Sequence, residues 1–207
     1  MGDVRCCGSI RVSFDDTTPA DVSDEALVRR LLAGDEWAGE GLAKRHCIAL
    51  MRYLQRLVRS ELVAEELHQQ TWTSALENLE KFDVTSGGGG FKAWLYRIAT
   101  NKAHDHWRSQ GREKKVKEGL RLVTEEMAPD ASHRMEGTEA EVKLRAAIEL
   151  LPDNQKEILL MRYYGNIKFV EIAEMLGCPL NTALGRMHKA MIRLRQLLAE
   201  PLQVDSK

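Results

Sequence analysis

Apolar residues recur at spacings of three and four along most of this chain, the period of helices that bury one face. Leu27, Leu31 and Leu32 make the first such stripe. Ser23 ahead of it, with Asp24 and Glu25 behind, reads as an N-cap followed by acids in the first turn, and Gly34-Asp35 ends the element. Leu42, Leu50, Tyr53, Leu54, Leu57 and Val58 mark a long second helical region. A third helix is predicted over about 63–79, with Leu67, Thr71, Trp72, Ala75, Leu76 and Leu79 on its apolar side. Ser86 and four consecutive glycines, Gly87 to Gly90, then interrupt the pattern, because ordering glycine costs more entropy than ordering any other residue. In the next helix, 91 to about 112, one face carries Phe91, Trp94, Leu95, Ile98 and Ala99. The other carries Arg97, Asn101, Lys102, Asp105 and Arg108. Helical spacing returns over 140–150, 153–164, 168–176 and 180–199, and strand alternation is absent. The expected fold is all-α, with helical domains at 23–112 and 141–199 and an acidic linker at 113–140. Tails at 1–22 (disordered) and 200–207 complete the chain.

The last two helices carry a specific pattern. Ile172 and Leu176 face inward, and Ala173 is small where two helices would cross. Gly177 suits a left-handed helix end, and Pro179 blocks continuation. After this short turn, Ala183, Met187, Ala190, Leu194 and Leu197 recur as an inward face. Thr182, Arg186, Lys189 and Arg193 recur on another. One hydroxyl and three cations along one side suit phosphates and base edges in a major groove. A basic face alone would equally describe an ordinary amphipathic surface helix; the turn and the small crossing residue favour a helix-turn-helix.

Charge sharpens this. The net charge of −1 hides segregation. Six bases face two acids over 101–117, seven acids face three bases over 118–143, and 180–195 holds four bases and no acid. Local patches, not the total, decide attraction to phosphates. With 43 % hydrophobic and 29 % charged residues the chain reads as an ordinary globular protein. No apolar run is long enough for a membrane span, and 1–22 lacks a secretory signal core, so a cytoplasmic location is expected. Cys6, Cys7, Cys47 and Cys178 lack zinc-ligand spacing and read as reduced thiols, although adjacent Cys6 and Cys7 in a polar tail could be redox-active or bind metal. His104 and His106 beside Asp105 are poorly spaced for one metal on a helix. No metal, cofactor or catalytic constellation is expected. Trp107 could stack on a base or fill a gap.

Trp94 to Asn101, followed by Asp105 and Arg108, resembles region 2 of the extracytoplasmic-function sigma factors. Leu151-Pro152, Glu171-Ile172-Ala173, Gly177-Cys178-Pro179, Thr182 and Arg186 resemble region 4 of the same family, and Asp24 to Asp35 resembles the start of region 2. The resemblance implies a non-enzymatic factor that binds core RNA polymerase and directs it to promoters. It implies that Glu66, Leu67, Gln69 and Gln70 dock on the clamp helices of the largest polymerase subunit. Phe82, Asp83, Ser86, Gly87, Asn101, Lys102, Asp105 and Arg108 would serve the −10 element and its flipped base. Asn181, Thr182, Leu184, Gly185, Arg186, His188, Lys189 and Arg193 would meet −35 DNA while region 4 sits on the flap of the second-largest subunit. An anti-sigma or other regulatory protein is the further partner implied.

Three departures stand out. Gln70 occupies a position where an acid is usual. The loop from Phe82 to Phe91 is longer than usual and rich in glycine. Leu184 and Gly185 replace a basic residue and a serine that face −35 DNA, which predicts weakened or partner-assisted −35 recognition. A sigma-like adaptor, or a helix-turn-helix regulator without polymerase contact, is the alternative.

Overall fold

The computed structural model describes residues 22–58, 60–82, 90–119 and 138–199, with side chains of 113–119 excepted. Among the described residues all regular structure is helical: α1 (Asp24–Leu32), α2 (Glu36–Val58), α3 (Glu61–Glu77), a 3-10 turn (Leu79–Lys81), α4 (Gly90–Gly119), α5 (Glu139–Glu149), α6 (Asp153–Tyr164), α7 (Phe169–Met175) and α8 (Leu180–Ala199). They divide into two compact units, 1–130 and 131–207. The expected all-α architecture is observed. Cys6 and Cys7 lie outside the described residues, as do the tails apart from Val22.

In the first unit, Ser23 caps α1 by accepting from the Ala26 N–H. Leu27 and Val28 are buried, whereas Leu32 is left 47 % exposed. The expected stripe is therefore rotated: each residue turns the helix by about 100°, and Leu32 lies one such step beyond Leu31. Gly34 ends α1 at φ +93°, and Asp35 accepts from the Trp37 N–H to start α2. The inner face of α2 (Leu42, Leu50, Tyr53, Leu54, Leu57) packs among α1, α3 and α4. From α3 come Leu67, His68, Thr71, Trp72 and Ala75; Leu76, expected inside, is exposed. From α4 come Phe91, Leu95, Tyr96, Ala99 and Ala103.

Two polar groups in this core matter. Tyr53 Oη meets Thr100 Oγ1 at 2.9 Å, while Tyr96 Oη is buried with no hydrogen-bond partner, and burial pushes its pKa up. His68 Nε2 lies 3.2 Å from Trp72 Nε1 and 3.3 Å from the Cys47 carbonyl. An indole N–H can only donate, so Nε2 accepts it and cannot also donate to the carbonyl. The imidazole is therefore neutral with its proton on Nδ1. Burial is the main cause that lowers its pKa, to about 4, which agrees.

The second unit opens on a reciprocal cap. Thr138 accepts from the Glu141 N–H, and the Glu141 carboxylate accepts from the Thr138 N–H. Ala147, Leu151, Leu159, Ala190 and Leu194 form a core against which Ile148, Met187 and Leu197 pack. Lys156 is buried and paired with Glu149 at 2.9 Å. A Cβ at Gly165 would lie 2.7 Å from the Met161 carbonyl oxygen, so only glycine fits where α6 ends.

Candidate nucleic-acid interface

In the first unit the segment 83–89, which includes Asp83, Ser86 and Gly87, lies outside the described residues. Its two flanks are firmly held. Before it, Phe82 is nearly buried and packs on Phe91 and Trp94 with ring centroids 5.9 and 5.3 Å away. After it, Gly90 opens α4 at φ +65°, and a Cβ there would lie 2.9 Å from Glu25 Oε1. Phe91 also meets the His46 ring at 5.8 Å. His46 Nε2 and Arg45 reach Asp24 at 2.7 and 3.0 Å. Burial raises the Asp24 pKa, but hydrogen bonds and charge from His46 and Arg45 outweigh this and hold it below the usual carboxylate range. An aromatic wall, tied by an ionic cluster to α1 and α2, thus borders the glycine-rich segment.

From that wall α4 carries Arg97, Asn101, Asp105 and Arg108, all exposed; at about 100° per residue they share an arc of about 80°. Asp105 pairs with Arg108 at 3.2 Å, and Lys102 is half-buried beside the row. Trp107 is half-buried against His104, with ring centroids 5.6 Å apart. On α3, Glu66, Gln69 and Gln70 face solvent, and Gln70 Nε2 donates to Glu66 Oε1 at 3.0 Å. Leu67 points the other way, into the core.

In the second unit Ile172 and Ala173 of α7 are buried. Gly177 adopts φ +58°, the Cys178 N–H donates to the Ala173 carbonyl, and α8 begins at Leu180. Ala183, Ala190 and Leu194 pack inward as expected. Asn181, Thr182, Leu184, His188, Lys189 and Arg193 are exposed, and Gly185 and Arg186 are half-exposed. A short helix, a left-handed glycine turn and a longer basic helix make a helix-turn-helix.

Residues 42–113 match sigma-70 region 2, and residues 141–194 match sigma-70 region 4. The chain belongs to the extracytoplasmic-function sigma factors. As a member it binds core RNA polymerase and directs promoter recognition. It is 26 % identical to the RNA polymerase sigma-H factor of Pseudomonas aeruginosa, over 81 % of this chain and 89 % of that protein. It is 24 % identical to the ECF RNA polymerase sigma factor SigW of Bacillus subtilis, over 84 % and 95 %. In fold it is similar to the sigma factor RpoE of Bartonella quintana, solved in complex with the anti-sigma factor NepR, at a TM-score of 0.63 and 24 % identity. That likeness spans 81 % of this chain and 98 % of RpoE.

The ties around the glycine-rich segment were not expected. Asp24 read as a first-turn acid, yet its partners lie 21 and 22 residues away. Nothing local in the sequence singled out Gly90 among the four glycines. Among the described residues, no helix is long and apolar enough to cross a membrane, and no cluster of three metal-binding side chains is found.

Proposed function

We propose that this sigma factor divides promoter work between its two units, 23–112 and 141–199, with 113–140 as the linker. The exposed faces of Glu66, Gln69 and Gln70 dock on the polymerase clamp, and Leu67 braces that helix from inside. Asn101, Lys102, Asp105 and Arg108, with Asp83, Ser86 and Gly87 of the adjoining segment, engage the melted −10 strand and a flipped base; Phe82 anchors that segment. The observation that carries this reading is the polar row on α4 beginning beside a fixed aromatic wall. Extruding a base costs a few kcal/mol, recovered by stacking and by hydrogen bonds to its exposed edge. Asn181, Thr182, Arg186, His188, Lys189 and Arg193 meet −35 DNA, and region 4 rests on the flap. An anti-sigma partner, as RpoE has in NepR, is part of the reading.

The test is open-complex formation with core polymerase on a promoter recovered from a genomic transcription library. Replacing Asn101→Ala should reduce strand opening about 10-fold or more, the worth of one base-directed contact, while leaving closed-complex binding near wild type. Equal opening by the variant would remove Asn101 from the pocket.

A second reading, a sigma-like adaptor with weakened −35 recognition, is favoured by Leu184 and Gly185, since neither side chain can donate to a base. Selection of random −35 sequences by the holoenzyme separates the two: a sharply enriched sequence overturns the adaptor.

A further inference from the structure

At its start, α1 presents two consecutive acids that are held in different ways. Asp24 is engaged by its neighbours: Arg45 and His46 bind its two oxygens at 3.0 and 2.7 Å. Glu25 is half-buried and, among the described residues, makes no hydrogen bond and no ion pair. Its carboxylate lies against the start of α4. A Cβ at Gly90 would sit 2.9 Å from Glu25 Oε1, and Gly90 adopts φ +65°, so both space and backbone call for glycine there. The first turn of α4 has no acid of its own, and Glu25 of α1 brings one from outside.

The surroundings hold this carboxylate in place. Asp24 fastens the start of α1 to α2, while Phe91, next to Gly90, is packed by Phe82, Trp94 and His46. A group set on such a frame loses little freedom when it binds. An ionised carboxylate can only accept hydrogen bonds. It repels DNA phosphates, so the backbone is not what suits it. Base edges are a better match. Adenine, cytosine and guanine each expose an amino group that donates, whereas thymine offers a single N–H between two carbonyl oxygens.

We propose that Glu25 is a specificity-determining residue of this sigma factor, accepting a hydrogen bond from the amino group of one unpaired base as the melted strand passes the start of α4. The proposal rests on the −10 reading above and adds to it a residue of α1, outside the polar row. Asn101 lies 11 residues beyond Gly90, about 16 Å along the helix, so Glu25 and Asn101 meet different bases.

The test is open-complex formation by the holoenzyme on promoters carrying each of the four bases at each position of the melted −10 strand in turn. At one position the wild type should favour an amino-bearing base over thymine by about 10-fold or more. Glu25→Ala should bring the four bases within about 3-fold of one another there. Glu25→Gln, which can donate as well as accept, should raise opening with thymine. Thermal unfolding checks that both variants fold. The ratio between bases is the readout, because an acid that only steadies α1 and α4 would change opening on all four bases alike. Unchanged ratios in Glu25→Ala, or an equal change on every base, overturn the proposal. Asn101→Ala is measured alongside. If it impairs opening while Glu25→Ala leaves every ratio intact, the −10 reading stands and the role of Glu25 falls. If it opens like wild type while Glu25→Ala removes the preference, Glu25 stands and Asn101 leaves the site.

Discussion

Two glycines of the second unit sit in opposite circumstances, and substitutions should separate them. A Cβ at Gly185 meets nothing within 4 Å, so Gly185→Ala should stabilise α8 by about 0.5–1 kcal/mol and raise the melting temperature. At Gly165 the same change drives a methyl group against the Met161 carbonyl and the Ile167 side chain, so Gly165→Ala should lower it. Thermal unfolding followed by circular dichroism reads both. In the first unit, His68 sets a pH dependence. Its pKa of about 4 when folded lies below the ordinary 6.5, so the unfolded chain binds the proton first. Stability should therefore be complete above about pH 6.5 and fall as pH drops toward 4, by up to about 3 kcal/mol from this group. Denaturant midpoints across that window should flatten in His68→Gln. Asp24 acts lower: its depressed pKa adds stability that is lost as pH falls below the usual carboxylate range.

At the scale of the helix, the reciprocal cap at Thr138 holds the start of α5 in place. Thr138→Ala should cost about 1 kcal/mol in denaturant unfolding, and Thr138→Ser should recover most of it. Most helices were legible from spacing because 3.6-residue periodicity is a local property. The bounds of α6 and α8 agree with expectation, and Gly177 turns where its residue type suggested. Faces at helix edges were less legible. Leu32 and Leu76 are apolar and correctly spaced within their own helices, yet exposed, because which edge is covered depends on neighbours far away in sequence. The same reason hid the Asp24, Arg45 and His46 cluster. In the candidate site, the exposed polar row of α4 followed from its spacing. The buried seat of Phe82 and the inward turn of Leu67 did not, since each is set by tertiary packing.

Across the whole molecule, a near-zero net charge coexists with basic stretches in each unit. Promoter binding by the holoenzyme should therefore weaken steeply with salt. Each phosphate contact contributes about 0.9 to the slope of log K against log salt, so replacing Arg186, Lys189 and Arg193 by Ala should reduce that slope by about 2–3. Filter binding at a series of potassium concentrations measures it. An unchanged slope would move the phosphate contacts of region 4 elsewhere.

The indole of Trp72 donating to a neutral imidazole gives the first unit an optical gauge of its own. A protonated imidazole beside an indole quenches its emission, whereas a neutral one scarcely does. Acidification should dim Trp72 as His68 gains its proton, and the part of the light lost that His68→Gln abolishes would report on the α2–α3 packing from within, without an attached dye.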